Sequence, residues 1–400
     1  MEVFRMTEFN LRLKASVDAN KFRYGYPWIY SNEIISDRRT KLLMPGSFCK
    51  LVDYNKSPVC LVTVNPKSKI FARVMDYNLE TIIDAYWLKD KISKALAKRN
   101  EMFRDPFYRL VNAEADELPG LIVDRFDNVI VMQPNAFWAE NMSKIIANSI
   151  KEVCSIDVVI KNASGRSRRL EGLDDKNSVF FGDLPEAAIS VPMNGAIYKA
   201  DVHEGQKTGL FYDQRQNHKF VASLANGKAV LDVFCHVGGF GLAAIAAGAS
   251  KVSFVDSSAN ALDLVREGAS EMMASSKMNI IRGDAFSVLR KLLESDNSYD
   301  IVICDPPAFV TSRKSLNSGL RAYEKMAKLG SSLVRENGIL VLCSCSQLAD
   351  LIKFRNACVR GIGRAGRRAQ LIHTGFAAAD HPIHLQLLDN SYLKSLVFRL

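Results

Sequence analysis

The chain has 400 residues, 48% of them hydrophobic and 24% charged, a globular balance that excludes a disordered or fibrous protein and leaves room for two or three domains. Its 53 lysines and arginines against 43 acids give a formal charge of +10, which favours an acidic partner, nucleic acid first. No run approaches the ~20 apolar residues of a membrane helix, and the start MEVFRMTEFNLRLK lacks a signal-peptide core. The 8 cysteines show no metal or redox spacing, so no metal is expected, and reduced thiols in the cytoplasm are the expectation.

Residues 9–88 read as short strands: LRLKA, SFCKLVDY, PVCLVTV and KIFARVMD, punctuated by Pro45-Gly46 and by Asn55-Lys56-Ser57-Pro58. They predict a small β-barrel, assigned to residues 1–88. Its loops carry Arg23, Arg38, Arg39, Lys41, Lys67 and Lys69, interleaved with Tyr24, Tyr26, Trp28 and Tyr30. That mixture suits RNA stacking and phosphate contact, although a core role for each aromatic is the preferred reading. Residues 89–105 read as a helix with Ile92, Leu96 and Met102 near one face. RLVNAEADELPGLIVDRF, VIVMQ, AENMSKIIANSIKEV and DVVIKN then predict strands and a helix of a compact α+β unit, and residues 89–198 form the central domain. From about residue 200 strands and helices alternate, which predicts an α/β domain, residues 199–400, with a parallel sheet covered on both faces. GIGRAGRRAQ (361–370) reads as a solvated turn before the strand LIHTGF.

Four signals follow one another in the last domain. AVLDVF is a buried-strand run carrying Asp232, and it leads into HVGGFG, where Gly238 and Gly239 let backbone amides approach a ligand closely. The strand KVSFVD ends at Asp256 and Ser257, an acid suited to ribose hydroxyls. NIIRGDAF places Asp284 and Ala285 where adenine would be flanked, and YDIVICDPPAF ends in Asp305-Pro306-Pro307. This order fits S-adenosylmethionine, with Phe234, Gly238, Gly239 and Phe240 around its methionine end. HVGGFG is not G-x-G-x-x-G, which argues against a nicotinamide enzyme.

The prolines after Asp305 stiffen a loop able to hold a flat base, with Phe309 as a stacking surface. Asp305 can hydrogen-bond an amino group or a protonated ring nitrogen. Cys345, in GILVLCSCSQL, falls at a strand end, where ligands sit in such sheets, whereas Cys304 and Cys343 lie inside apolar runs. A thiolate there can attack carbon 6 of a pyrimidine and activate carbon 5 for methylation. Two alternatives stay open: methylation of a base nitrogen without the thiol, and an RNA-binding ribosome assembly factor without catalysis. His381 and His384 in ADHPIH lack a second metal-ligand cluster and suit a structural or substrate-loop role.

These motifs resemble the bacterial 23S ribosomal RNA 5-methylcytosine methyltransferases of the large-subunit methyltransferase I type, which carry an N-terminal PUA domain. GYPWIYSNEI is similar to the PUA start, LPGLIVDRFD to the central domain and GQKTGLFYDQRQN to a cofactor-side segment. DVFCHVGGF, VDSS, GDAF, DPPAF, SCS and ADHP then follow in the family's order. The resemblance implies a PUA-like barrel, a Rossmann-like class I methyltransferase domain, Cys345 as nucleophile, and Tyr212, Asp213, Gln214 and Arg215 as cofactor-side residues. It implies RNA as partner, 23S ribosomal RNA or a large-subunit assembly intermediate, no membrane, and allows a homodimer. The chain departs from the family at His236-Val237, where Tyr-Thr is usual, and at Ala308, where Lys is usual.

Overall fold

The computed structural model describes residues 6–202, 209–390 and 392–400. Residues 205–208 of the GQKTGLFYDQRQN segment and residues 1–5 of the N-terminal segment lie outside the described residues. The chain divides into two compact units.

The first unit comprises residues 6–186 with Pro382–Leu388. Its opening sheet orders the strands Met6–Arg12, Phe48–Val52, Pro58–Val64, Ile70–Asp76 and Trp28–Tyr30. Past its two edge strands the chain pairs again, Leu13 with Ile34, and the backbone bonds Lys14 N–H to Glu33 and Ile35 N–H to Arg12 draw the edges together. Alternating apolar residues, Leu51, Cys60, Val62, Val64 and Phe71 among them, fill the interior. Trp28 is half-buried and donates to Glu114 at 2.7 Å, a structural role, while Tyr24 stands 75% exposed.

A second sheet runs in the order Ser178–Phe181, Val158–Lys161, Val129–Pro134, Leu121–Phe126, Phe107–Asn112. The helices Ala85–Met102 and Ser143–Cys154 share its hydrophobic core. The first starts because Asp84 accepts the Tyr86 and Trp87 N–H groups, an N-cap. Ile92 and Leu96 face the core, but Met102 does not: it is 46% exposed. Two turns beyond Ile92 the inward position belongs to Arg99 instead. Its guanidinium is buried because Asp116 takes both ends, at 2.8 and 2.6 Å.

The second unit holds residues 187–202, 209–381 and 389–400. Its sheet has seven strands: β1 (Ala229–Val233), β2 (Lys251–Asp256), β3 (Met278–Arg282), β4 (Tyr299–Cys304), β5 (Val334–Ser344), β6 (Gln370–Gly375) and β7 (Lys394–Arg399). Their spatial order is 3-2-1-4-5-7-6, parallel from β3 to β5, with β7 antiparallel between β5 and β6. Helix α1 (Arg215–Ala222) precedes the sheet. The connecting helices are α2 (Gly239–Ala246), α3 (Ala259–Glu271), α4 (Ala285–Glu294), α5 (Leu316–Leu333) and α6 (Leu351–Arg364). Central strands reading AVLDV and YDIVIC are buried on both faces, as a doubly covered sheet requires. Strand order reverses at β1, so the crevice at the β1 and β4 tips is where this topology places a ligand.

Residues 361–370 are not the expected solvated turn throughout. GIGR of the supposed turn is the last turn of α6, and the chain leaves helical geometry only at Ala365. Gly361 lies so close to α5 that a Cβ would stand 2.3 Å from the Glu324 carbonyl oxygen. Close packing of two helices, not a loop, explains that glycine.

Candidate active site

The turn after β1 is held in an uncommon backbone shape. Phe234, His236 and Gly238 all have left-handed φ, 62°, 49° and 83°, which only the glycine adopts without strain. The surroundings hold the other two in place. Cys235 N–H reaches Val255 O at 3.1 Å, Gly238 N–H reaches Cys235 O at 2.7 Å, and His236 N–H donates to Asp256 at 2.9 Å. The His236 ring sits 5.1 Å from Phe211.

Asp232 lies in the interior. It is 1% exposed, one oxygen accepts Gly241 N–H at 2.7 Å, and burial drives its carboxyl up to about 8. Its work is to tie β1 to the first turn of α2. Phe240, 3% exposed, faces inward too, its ring 4.5 Å from His218. The glycines have an internal explanation as well: a Cβ on Gly238 would meet Leu242 at 2.9 Å, and one on Gly239 would meet His218 at 2.6 Å.

Asp256 is half-buried. Its two oxygens accept one backbone N–H each, from His236 and Ser258, and Ser257 is exposed beside it. A carboxylate with two such bonds keeps lone pairs for ribose hydroxyls. Asp284 caps α4: one oxygen takes both the N–H and the hydroxyl of Ser287, at 2.9 and 2.8 Å. The Ser287 hydroxyl bond holds its carboxyl below the usual range, and its second oxygen has no hydrogen-bond partner among the described residues. Ala285 behind it is buried.

Phe309 belongs to a wall of rings. Its centroid lies 6.3 Å from Phe234, 6.0 Å from Phe286 and 4.9 Å from Tyr323. Phe309 is half-buried among these rings, and the residues after Pro307 turn back onto α5, where Gly319 lies against Val310 and the Phe309 carbonyl.

At the β4 tip, Asp305 is half-buried and its N–H bonds Val233 O at 3.2 Å. Gln214 Nε2 donates to Asp305 Oδ2 at 2.9 Å, and Asn217 Nδ2 donates to Gln214 Oε1 at 2.6 Å. This relay fixes the carboxylate plane. Pro306 is buried and Pro307 exposed. Tyr212 and Asp213 are buried braces: Arg215 lies 5.3 Å over the Tyr212 ring, and Tyr392 donates to Asp213 at 2.5 Å.

Cys345 follows β5 directly. It alone of the 8 cysteines is half-buried, the other seven being buried, and its Sγ lies 3.9 Å from Pro306 O. Burial pushes the thiols of Cys304 and Cys343 far up, so both stay protonated. The turn is stiffened by a hydroxyl cluster. Tyr323 Oη lies 2.8 Å from both Ser344 Oγ and Ser346 Oγ, and Ser346 Oγ also accepts Val310 N–H at 3.0 Å. The Asp305 loop and the Cys345 turn are therefore one rigid assembly. Asp380 and His381 are buried together at 2.9 Å, and no group able to hold a metal occurs among the described residues. No helix among them is long and apolar enough to cross a membrane.

Asn217, Tyr323 and Lys394 brace this assembly, His218 packs beneath the glycine turn, and the sequence reading named none of them. Asn217 closes the GQKTGLFYDQRQN segment, and Lys394 is a charge inside the apolar run YLKSLVF.

Residues 171–350 match the family described as S-adenosylmethionine-dependent methyltransferase, and residues 11–77 match the PUA-like domain. The fold is shared with a SAM-dependent methyltransferase from Streptococcus mutans (TM-score 0.82, 17% identity, 98% of this chain and 100% of that one). It is shared equally with SMU.776, a methyltransferase complexed with SAH (TM-score 0.83, 18% identity, the same coverage). The unit around the crevice is thus a Rossmann-like S-adenosylmethionine-dependent methyltransferase, and that nucleoside is its cofactor. Ribosomal RNA large subunit methyltransferase I of Shewanella denitrificans is 32% identical over 378 residues, 94% of this chain and 95% of its own. The Aeromonas hydrophila and Vibrio vulnificus proteins of the same name are each 31% identical, over 94% and 92% of this chain and 95% and 94% of their own. The chain belongs to the ribosomal RNA large subunit methyltransferase I family. The residues fit the cofactor chemically: two strand-tip carboxylates with spare acceptor capacity stand beside an aromatic wall.

Proposed function

We propose that this protein methylates carbon 5 of a cytosine in 23S ribosomal RNA through a covalent adduct with Cys345. The relatives' shared name supports large-subunit ribosomal RNA as the substrate, and the cytoplasm is then the place of action. The observation that carries the chemistry is the half-exposed Cys345 thiol, 3.9 Å from the Pro306 carbonyl beside a clamped Asp305.

In this reading Asp256 and Ser257 hold the ribose, Asp284 and Ala285 flank the adenine, and Phe234 with the Gly238–Gly239 backbone borders the methionine end. Gln214 sets Asp305 in place, with Tyr212, Asp213 and Arg215 bracing it from behind. Pro306 and Pro307 shape the rim against which the base lies. Cys345 Sγ adds to carbon 6 of the cytosine while Asp305 holds the amino group or the protonated ring nitrogen, and electron density moves to carbon 5. The bound cofactor supplies an electrophilic methyl group to that carbon. The carbon-5 proton then leaves to a base or to water, and the carbon–sulfur bond breaks with its electrons returning to sulfur. A base inside a helix must first be flipped out, at about a few kcal/mol. The division into residues 1–88 for RNA capture, 89–198 as a central domain and 199–400 for chemistry is part of this proposal, supported by the PUA-like match over 11–77.

RNA carrying 5-fluorocytidine tests it. Fluorine cannot leave as the proton does, so the complex should stay covalent and survive denaturing electrophoresis. Cys345→Ala should form none. Methyl transfer retained by Cys345→Ala would overturn the thiol mechanism in favour of a base nitrogen as acceptor.

A further inference from the structure

Lys394 lies under the turn that carries Cys345. It opens β7 opposite Ser344 in antiparallel register and is 2% exposed. Its Nζ donates to Ser346 O at 2.8 Å and Ala349 O at 2.9 Å. Both carbonyls belong to the segment just after Cys345. An ammonium carries a full charge, and a buried cation is costly unless an anion faces it.

No carboxylate stands within ion-pair distance of Lys394 among the described residues. The Asp350 carboxylate, five residues past Cys345, is engaged by Lys353. The neighbouring groups supply no anion. Tyr323, tied to Ser344 and Ser346, is pushed up to about 12 by burial. The Cys343 thiol is buried, raised, and bonded to Ser395. Asp305 belongs to the loop on the other side of Cys345 and bonds Gln214. The remaining candidate is the sulfur of Cys345, the residue next to the Ser346 carbonyl that the Lys394 ammonium bonds.

We infer that Lys394 is a positioning residue that carries the counter-charge of the Cys345 thiolate and holds its turn by the two carbonyl bonds. This rests on Cys345 being the nucleophile. Burial draws Lys394 down to about 8, so it remains mostly protonated at neutral pH, where the thiolate needs it.

The test is the pH dependence of Cys345 alkylation by iodoacetamide in the full-length protein, with Cys345→Ala subtracted as background. Lys394→Gln keeps donors for both carbonyls and loses the charge. Its alkylation midpoint should lie about one unit or more above that of the wild type, the effect of removing one nearby opposite charge. Lys394→Arg should restore most of the shift. An unchanged midpoint in Lys394→Gln would overturn the inference and leave Lys394 as a tie for the turn. Should Lys394→Gln fail to fold, the wild-type midpoint decides: below the ~8.5 of an ordinary thiol upholds the inference, and at or above it overturns it. No RNA is involved, so the outcome is separate from adduct trapping. An adduct without the shift removes the role of Lys394 alone, and a shift without an adduct removes the nucleophile reading.

Discussion

Replacing Gly239 by alanine should destabilise the methyltransferase unit through a contact far from solvent. The added Cβ would lie 2.6 Å from both Cε1 and Nε2 of His218. Ordinary contact distances are about 3.5–4.0 Å, so about 1 Å of overlap must be relieved. His218 cannot swing aside easily. It is 4% exposed, and its ring lies 6.3 Å from Tyr198 and 4.5 Å from Phe240. The other side is fixed as well, since Tyr198 donates to Gly239 O at 3.1 Å. Overpacking of this kind costs about 1–3 kcal/mol. For a unit of roughly 200 residues that is a fall in Tm of about 2–12 °C. Calorimetry on wild type, Gly239→Ala, His218→Ala and the double variant reads it, with titration of S-adenosylmethionine alongside. In the His218→Ala background the methyl enters vacated space, so the Gly239→Ala cost should shrink by about 1 kcal/mol or more. Equal losses in both backgrounds would refute the steric argument and return the glycine to a purely ligand-facing role.

Asp232 should make stability pH-dependent. Its folded carboxyl is raised to about 8 by burial, whereas the unfolded chain releases that proton near pH ~4. Its contribution is therefore complete below about pH 4, is lost as pH rises toward about 8 and is flat beyond. Asp232→Asn should remove a slope of up to about 1.4 kcal/mol per pH unit in unfolding scans from pH 5 to 8; parallel scans would mean an ionised Asp232 in the fold. Arg313 and Lys314 are exposed on a turn locked by the Ser312–Ser315 capping box, a few residues beyond the Asp305 loop. If both contact phosphates of single-stranded RNA, Arg313→Ala/Lys314→Ala should reduce the log–log salt slope of RNA binding by about 1.4, and an unchanged slope would place the RNA elsewhere.

Much of the architecture follows from local patterns. Buried-strand runs separated by helical segments define the parallel sheet, and acids at the ends of KVSFVD, NIIRGD and YDIVICD fall at the tips of β2, β3 and β4 because a strand must end where its apolar run ends. Cys345 could be read as lying just past β5 for the same reason. The tertiary structure alone decided what each polar group faces. Asp232 sits within a strand tip like its fellows but turns to Gly241. Arg99 takes an inward helix position because Asp116 is there to receive it. Gln214 reaches Asp305 across 91 residues, and Lys394 reaches Ser346 across 48. Spacing along a chain carries the period of an element and the point where it stops, whereas the partner of a buried charge is set by segments that meet only once the sheet has been assembled.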